Sequence, residues 1–277
     1  DAIAQTRDAA TYIRRHSTMD APFLLVLSWG PPHEPYHTAP AEFRELYDPA
    51  KIVLRPNVPY ENAVEERQWL AGYYAHCSAL DSCTGDLLSV LRDGGIERDT
   101  IFVFTSDHGD MLGSQGHTKK QRPWDESIRV PFLIRYPALP GWQARETNAL
   151  IDAPDIMPTL LGLCGIPIPE TVEGLDFSKH IAGGIDPSDG SALIMCPHPF
   201  GQWLPVRHGG REYRGLRTTR YTYVRDLQGP WLLYDNEADP YQVENRVNDA
   251  EFAHIRDELD ARLQKKLDAA QDEFLPG

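Results

Sequence analysis

The chain has 277 residues, a formal net charge of −14, and 41% hydrophobic and 25% charged residues. This length and composition are ordinary for a globular protein with a sizeable core, and no apolar run reaches the roughly 18 residues of a membrane-spanning helix. A chain this acidic is a poor non-specific binder of nucleic acid or of an anionic membrane surface, but a local site of opposite charge leaves an anionic substrate open. The four cysteines form no CxxC pair and are interpreted as small buried side chains.

The first half of the chain alternates helical and strand-like patterns. Residues 3–15 have the apolar spacing of an amphipathic helix, and residues 23–29 (FLLVLSW) form a continuous apolar run. Such a run is typical of a strand buried on both faces of a parallel sheet. A long helix is predicted over 65–91, where a Gly-Gly pair ends it, and a second buried strand over 100–106 (TIFVFTS). This order of elements predicts an α/β fold.

The second half changes character near residues 183–191 (GGIDPSDGS). Before this point a strand is predicted over 132–136 and a helix over 153–163, so residues 1–188 are assigned to the α/β domain. Residues 189–277 are predicted to form a small antiparallel sheet with a terminal helix. The predicted elements of this part are strands over 192–195, 214–218, 221–225 and 231–234 and a helix over 249–271.

Asp107 and His108 come directly after the predicted strand 100–106 and are followed by Gly109. Ligands of open α/β sheets bind beyond the carboxyl ends of the strands. A carboxylate and an imidazole at that place are a candidate pair of metal ligands. On these residues alone, a capping aspartate beside a hydrogen-bonded histidine is an equally good interpretation.

Segment 101–131 closely resembles a motif of the sulfatase family, within the alkaline-phosphatase superfamily. The matching residues are Thr105, Ser106, Asp107, His108, Gly109, Gly113, Gly116, Lys120, Trp124, Asp125, Glu126, Ser127, Arg129 and Pro131. The resemblance implies that Asp107 and His108 bind a divalent metal and that Lys120 binds the anionic head group of the ester. Lys119 is adjacent, but the spacing to Trp124 favours Lys120. The resemblance also implies a mixed, mostly parallel sheet flanked by helices.

A second segment, SWGPPHEPY over residues 28–36, is similar to a proline-flanked histidine loop of the same family. The resemblance makes His33 a candidate general acid or binder of the anion; a histidine that only stabilises the loop is the alternative. His37 has no counterpart in the motif and is interpreted as a surface residue.

The C-terminal stretch GLRTTRYTYVRD…WLLYDNEADPYQVENRV resembles the small C-terminal sheet of the family. Asp235, Asp239 and Asn245 are interpreted there as turn and cap residues. Four further side chains near this part are candidates for substrate contact. They are His198, His208, Arg211 and Arg214.

The resemblance also implies elements that this sequence does not contain. Sulfatases carry an Asp-Asp pair for the metal and a C/S-x-P-S/A-x-R motif, whose Cys or Ser becomes formylglycine, and no such motif occurs here. The opening amphipathic pattern, without a signal-like segment, reads as the middle of a longer protein and gives no compartment. The metal implied by the family is Ca²⁺, although the imidazole of His108 suits Mn²⁺ or Zn²⁺ better. Gln115 stands where many relatives have His.

The sequence therefore predicts a metal-dependent hydrolase of sulfate esters, acting on a small molecule or a saccharide. A phosphonate or phosphate ester hydrolase of the same superfamily is the alternative enzyme, and a non-catalytic truncated chain or pseudo-enzyme that binds a ligand is the alternative of another class. If the front of the sheet is missing, apolar faces and strand edges are left uncovered, and a further segment or a homo-oligomer contact is expected to cover them.

Overall fold

The computed structural model describes residues 1–60, 63–203 and 209–274. Backbone proximity groups the chain into two compact units. The first unit is Asp1–Thr105, Leu112–His117 and Phe132–Trp142, and the second is Ser106–Met111, Thr118–Pro131 and Gln143–Gly277. The division at residues 188/189 stays a prediction.

Two long helices organise the first unit. Helix α1 spans Ala2–His16, and the carboxylate of Asp1 accepts a hydrogen bond of 2.9 Å from the Ile3 amide at its start. A short helix, α2, spans Ala41–Arg44, and α3 spans Ala63–Asp93. Both long helices were predicted from apolar periodicity and are confirmed. They pack through small and branched side chains in one cluster, which contains Ala9, Ala10, Ile13, Leu87, Val90 and Leu91.

Strands β1 (Phe102–Thr105) and β2 (Phe132–Arg135) pair antiparallel in the first unit. Both strands were predicted and are confirmed as strands. Both sheets formed by the described residues are antiparallel, so a parallel sheet stays a prediction.

Segment 23–29 has no regular secondary structure and joins neither of the sheets formed by the described residues, and its residues alternate between half-buried and exposed, so the prediction of a sheet strand buried on both faces is wrong. Leu25 and Leu27 pack on the cluster between α1 and α3. Leu24 and Val26 point the other way and are 82% and 81% exposed. The alternation has a simple cause: successive side chains of an extended segment point to opposite faces, and the helices cover only one of them.

We expect the uncovered face to drive self-association of the 277-residue chain at micromolar concentration, because an apolar extended segment with unpaired backbone is a template for pairing. The double variant Leu24→Lys/Val26→Lys is expected to remain monomeric in sedimentation velocity and to keep its unfolding midpoint, since neither side chain fills the core. Ile185→Lys, at another exposed position of 90%, is the control and should associate as the unchanged chain does. A wild-type chain that stays monomeric and binds no hydrophobic dye would contradict this expectation.

The second unit contains the predicted antiparallel sheet and terminal helix, and both are confirmed. Its strands follow one another in the order β3-β4-β5-β6. Helix α7 (Ala253–Ala269) packs one face, including Leu263, on Leu216 and Tyr223 of this sheet. The strands are β3 Ser191–Cys196, β4 Tyr213–Thr218, β5 Tyr221–Asp226 and β6 Gly229–Asp235. Further α-helices among the described residues are α4 Asp125–Ile128, α5 Ile156–Leu163 and α6 Ser178–Ile181.

The composition led to one expectation about membrane-spanning helices and one about the cysteines. Within the described ranges, no helix has both the length and the apolarity needed to cross a membrane. All four cysteines are unpaired; Cys83 and Cys196 are buried, but Cys77 and Cys164 are exposed, so the interpretation of all four as buried side chains is wrong for the second pair.

Candidate active site

Asp107 and His108 lie in the loop that begins directly after β1. The Asp107 carboxylate accepts hydrogen bonds from the His108 amide at 3.0 Å and from the Ser106 hydroxyl at 3.4 Å, and its side chain is 85% exposed. His108 Nδ1 lies 2.8 Å from the Gly109 carbonyl, an acceptor, so Nδ1 carries the proton. His108 Nε2 lies 3.5 Å from Asp107 Oδ2. The loop therefore presents a carboxylate oxygen and an imidazole nitrogen side by side.

This pair fits two ligands of a divalent cation. Two atoms that each lie about 2.1–2.4 Å from one cation are separated by roughly 3–3.5 Å, close to the distance observed. A backbone carbonyl bound to the other ring nitrogen is the usual support for a metal-binding histidine. Among the described residues, no group of three or more His, Cys, Asp or Glu side chains could hold a metal ion, so the role of this pair as metal ligands stays a prediction.

Gly109 allows the loop to lie against α4. Its amide donates to the Ser127 carbonyl at 2.8 Å, and a Cβ at this position would lie 2.0 Å from the Glu126 carbonyl oxygen. Any side chain here would push the loop away from α4. The glycine of the Asp-His-Gly motif is therefore required by close backbone packing.

Lys120 stands in a tight loop whose backbone is held on both sides. The Lys119 amide donates to Asp110 Oδ1 at 3.0 Å, and the Lys119 carbonyl accepts from the Met111 amide at 2.9 Å. Lys119 and Gln121 adopt positive φ angles of 64° and 72°, which non-glycine residues rarely do. These bonds join the Lys120 loop to the segment that follows Asp107 and His108.

The buried Arg122 also holds the Lys120 loop. This role was not predicted from the sequence. The side chain of Arg122 is 4% exposed; Nη1 donates to the Lys120 carbonyl at 2.6 Å, and the guanidinium lies 4.9 Å from the ring centre of Trp203. Burial lowers the pKa of Arg122 from its ordinary value. The only signal in the sequence was its place inside the motif between Lys120 and Trp124.

His33 lies in the proline-rich loop of the first unit and is exposed, with Nδ1 3.1 Å from the Glu34 carbonyl. The loop is fixed by α3, where Gly72 leaves room for the Tyr36 carbonyl; a Cβ on Gly72 would lie 2.6 Å from that oxygen. His76, also on α3, is buried beneath the loop with Nε2 3.4 Å from the Thr38 hydroxyl. His33 belongs to the first unit, whereas Asp107, His108 and Lys120 belong to the second. Its part in a common site stays a prediction.

The buried His76 is expected to make the first unit sensitive to acid. Burial lowers the pKa of His76 below the ordinary 6.5, and a hydrogen bond to the Pro35 carbonyl opposes this shift. The unfolded chain therefore binds the proton more readily, so stability present above about pH 6.5 is lost as the pH falls. We expect the unfolding midpoint to drop more between pH 7 and pH 5 in the wild type than in His76→Gln. Equal drops in denaturant titrations at the two pH values would show that His76 is not the cause.

The four candidates for substrate contact near the C-terminal sheet are two arginines and two histidines. Arg211 and Arg214 are engaged in ion pairs with Asp226 and Asp272, the latter at 2.5 Å, which is a structural role. His198 is exposed on the loop after β3. His208 lies outside the described residues.

Each of the three residues interpreted as turn or cap residues of that sheet has an ion-pair or hydrogen-bond partner. Asp235 pairs with Arg220 at 2.7 Å, and that bond lowers the pKa of Asp235. The side chain of Asn245 accepts from the Leu233 amide at 3.0 Å. Asp239 accepts from the Glu244 amide at 2.7 Å.

Comparison with known proteins identifies the family to which the chain is similar. A sequence profile of the sulfatase family matches residues 4–166, and a profile described as N-sulphoglucosamine sulphohydrolase, C-terminal, matches residues 113–269. The chain is 43% identical over 273 residues to an ulvan-active sulfatase of Formosa agariphila; the match covers 98% of this chain and 53% of that protein. The chain thus spans about half the length of this relative.

Solved structures share the fold over nearly the whole chain. One, from work on glycosaminoglycan metabolism by Bacteroides thetaiotaomicron, has a TM-score of 0.83 and 26% identity and covers 98% of this chain and 60% of that one. The phosphonate monoester hydrolase of Agrobacterium radiobacter has a TM-score of 0.82 at 24% identity, with 94% of this chain and 60% of that chain covered, and shows likeness of fold alone. The fold class is therefore that of alkaline-phosphatase-like enzymes, with helices, sheets and a C-terminal antiparallel sheet. With the sulfatase profile matching more than half of its residues, the chain belongs to the sulfatase family.

Proposed function

We propose that this chain carries part of the active site of a metal-dependent hydrolase of sulfate esters. The observation that supports this most is the juxtaposition of His108 Nε2 and Asp107 Oδ2 at 3.5 Å in a loop that backbone hydrogen bonds join to the Lys120 loop. A candidate cation-ligating pair and a lysine, carried by two joined loops, suit a substrate that carries a compact anion.

The proposed roles follow from the chemistry of each side chain. Asp107 and His108 hold the divalent cation, which when bound polarises the ester and offsets negative charge. Lys120 places its ammonium against the sulfate oxygens, where it neutralises charge that develops during bond cleavage. His33 donates a proton to the oxygen of the leaving alcohol. The formylglycine motif that the family uses is not part of this sequence, so no residue of this chain is assigned as nucleophile.

For the cation we propose Ca²⁺, with Mn²⁺ as the competing choice. Calcium is the metal that the family resemblance implies, whereas the imidazole of His108 is a better ligand for manganese or zinc. Competition between the two ions in a calorimetric titration of the natural gene product would separate them.

We further propose a sulfated saccharide as the substrate. The relative with 43% identity is named for its activity on ulvan. A phosphonate or phosphate ester is the second candidate, favoured by the fold likeness to a phosphonate monoester hydrolase. That likeness is the weaker support, because at 24% identity it concerns the fold alone.

The test is to incubate the natural gene product with ulvan oligosaccharides and, in parallel, with an aryl phosphonate ester. We expect inorganic sulfate to be released from the oligosaccharides, release to stop when a chelator removes the metal, and the phosphonate to be cleaved more slowly. Faster cleavage of the phosphonate would favour the second candidate. Binding of the oligosaccharides without release of sulfate would favour a non-catalytic binding protein and overturn the proposal.

A further inference from the structure

The side chain of Gln121, the residue after Lys120, binds the backbone of the exposed Phe200. Gln121 Nε2 donates to the Phe200 carbonyl at 3.2 Å, and the Phe200 amide donates to Gln121 Oε1 at 3.0 Å. The side-chain amide thus pairs with Phe200 as a neighbouring strand would. Phe200 as a residue is 58% exposed.

Contacts with buried residues of the second unit fix the loop that carries Phe200. The Phe200 carbonyl also accepts from the Trp203 amide at 3.1 Å, and Trp203 is 2% exposed. Trp203 lies under the Arg122 guanidinium, which in turn donates to the Lys120 carbonyl at 2.6 Å. The Lys120 loop and the Phe200 loop are therefore joined twice, through Gln121 and through Arg122.

This arrangement is specific enough to require an explanation. Gln121 adopts a φ of 72°, a conformation that costs energy for a residue other than glycine. The same residue holds the backbone of Phe200 with its side chain. Large aromatic side chains are normally buried, and an exposed ring on a fixed backbone is a surface ready for an apolar partner. The nearest chemistry along the chain is that of Lys120, the proposed sulfate-binding residue.

We propose that Phe200 is a specificity residue that stacks against the sugar ring of the sulfate ester while Lys120 holds its sulfate group. This inference rests on the proposed function. The apolar face of a pyranose ring is flat, and its burial on an aromatic ring contributes affinity without adding charge. Phe200 then selects the alcohol part of the substrate and leaves binding of the anion itself to Lys120 and the cation.

The test is steady-state kinetics of the natural gene product on ulvan oligosaccharides, together with inhibition by inorganic sulfate. Phe200→Ala is expected to raise KM about five- to tenfold with little change in kcat, the effect of one lost stacking contact. Phe200→Tyr keeps the ring and should restore KM. Inhibition by inorganic sulfate, which has no sugar, should change less than about twofold in both variants.

Gln121→Asn tests the clamp itself. Asparagine tolerates a positive φ better than most residues, but its shorter side chain cannot reach both Phe200 atoms, so KM should rise as in Phe200→Ala. Met157→Ala, which truncates another exposed apolar side chain of the second unit, is the control and should leave KM unchanged.

Three outcomes overturn the inference: an unchanged KM in Phe200→Ala, a parallel loss of inhibition by inorganic sulfate, or failure of Phe200→Tyr to restore KM. The proposed function fails separately, if the natural gene product binds the oligosaccharides but releases no sulfate from them. If Lys120→Ala abolishes release and Phe200→Ala has no effect on KM, only the role of Phe200 is wrong.

Discussion

Lys120→Ala is expected to lower kcat/KM for sulfate ester hydrolysis by the natural gene product about 100- to 1,000-fold, the usual effect of removing one donor that stabilises developing charge. The ammonium is offered by a loop that is already fixed before the substrate binds. The Arg122 guanidinium holds the Lys120 carbonyl at 2.6 Å, and the Lys119 carbonyl accepts from Met111 at 2.9 Å. Both of these contacts are made by backbone carbonyls, so the variant is expected to keep them.

Lys119→Ala is the matched control, since it removes the same charge one position earlier. Its backbone bonds to Asp110 and Met111 do not involve the side chain, so its effect on kcat/KM should be less than tenfold, a factor that corresponds to about 1.4 kcal/mol. If Lys119→Ala proves the more damaging of the two, the anion-binding role belongs to Lys119. If neither variant lowers kcat/KM, the lysine pair has no part in the reaction.

Asp125→Ala is expected to destabilise the second unit by about 3–5 kcal/mol, because it leaves a buried charge without its partner. Arg217 Nε and Nη2 donate to the two carboxylate oxygens of Asp125 at 2.8 and 2.9 Å, and the side chains are 13% and 16% exposed. The Asp125 amide in turn donates to the side chain of the buried Gln242 at 2.9 Å. This network fixes the first residue of α4 to strand β4. Chemical denaturation followed by tryptophan fluorescence measures the loss.

The same carboxylate offers an internal control. Arg129 also approaches Asp125, at 4.0 Å, but its side chain is 77% exposed, so Arg129→Ala should change stability by less than about 1 kcal/mol. The double variant Asp125→Leu/Arg217→Met removes both charges and should recover much of the stability lost in Asp125→Ala. A single variant as stable as the wild type would mean that the pair contributes little to the fold.

The elements that were predicted correctly are those whose pattern depends on local spacing. Helices α1, α3 and α7 bury regular stripes, and strands β3 to β6 are short runs separated by turns, so local spacing locates them within a few residues. Local spacing could not predict how many faces of segment 23–29 are buried. An unbroken apolar run has the same sequence whether one face or both faces are covered, and here the helices cover only one.

The candidate site shows a similar limit. The motif supplies Asp107, His108 and Lys120 as candidates, and their roles stay predictions. Arg122 was missed because a buried arginine cannot be told from a surface arginine without its partners, here the Lys120 carbonyl and the Trp203 ring. Phe200 was missed for the same reason: its contact with Gln121 joins positions 79 residues apart.

Asp107 and His108 are proposed to bind one cation, and Lys120 to bind the anion that this cation faces. The most direct test is anomalous diffraction at the manganese edge from crystals of the natural gene product grown with Mn²⁺ and inorganic sulfate. We expect one manganese peak bonded to Asp107 and His108 Nε2 at about 2.0–2.3 Å, with Lys120 Nζ about 3 Å from a sulfate oxygen. Manganese bound away from both side chains, or a bound sulfate that Lys120 does not reach, would contradict the account.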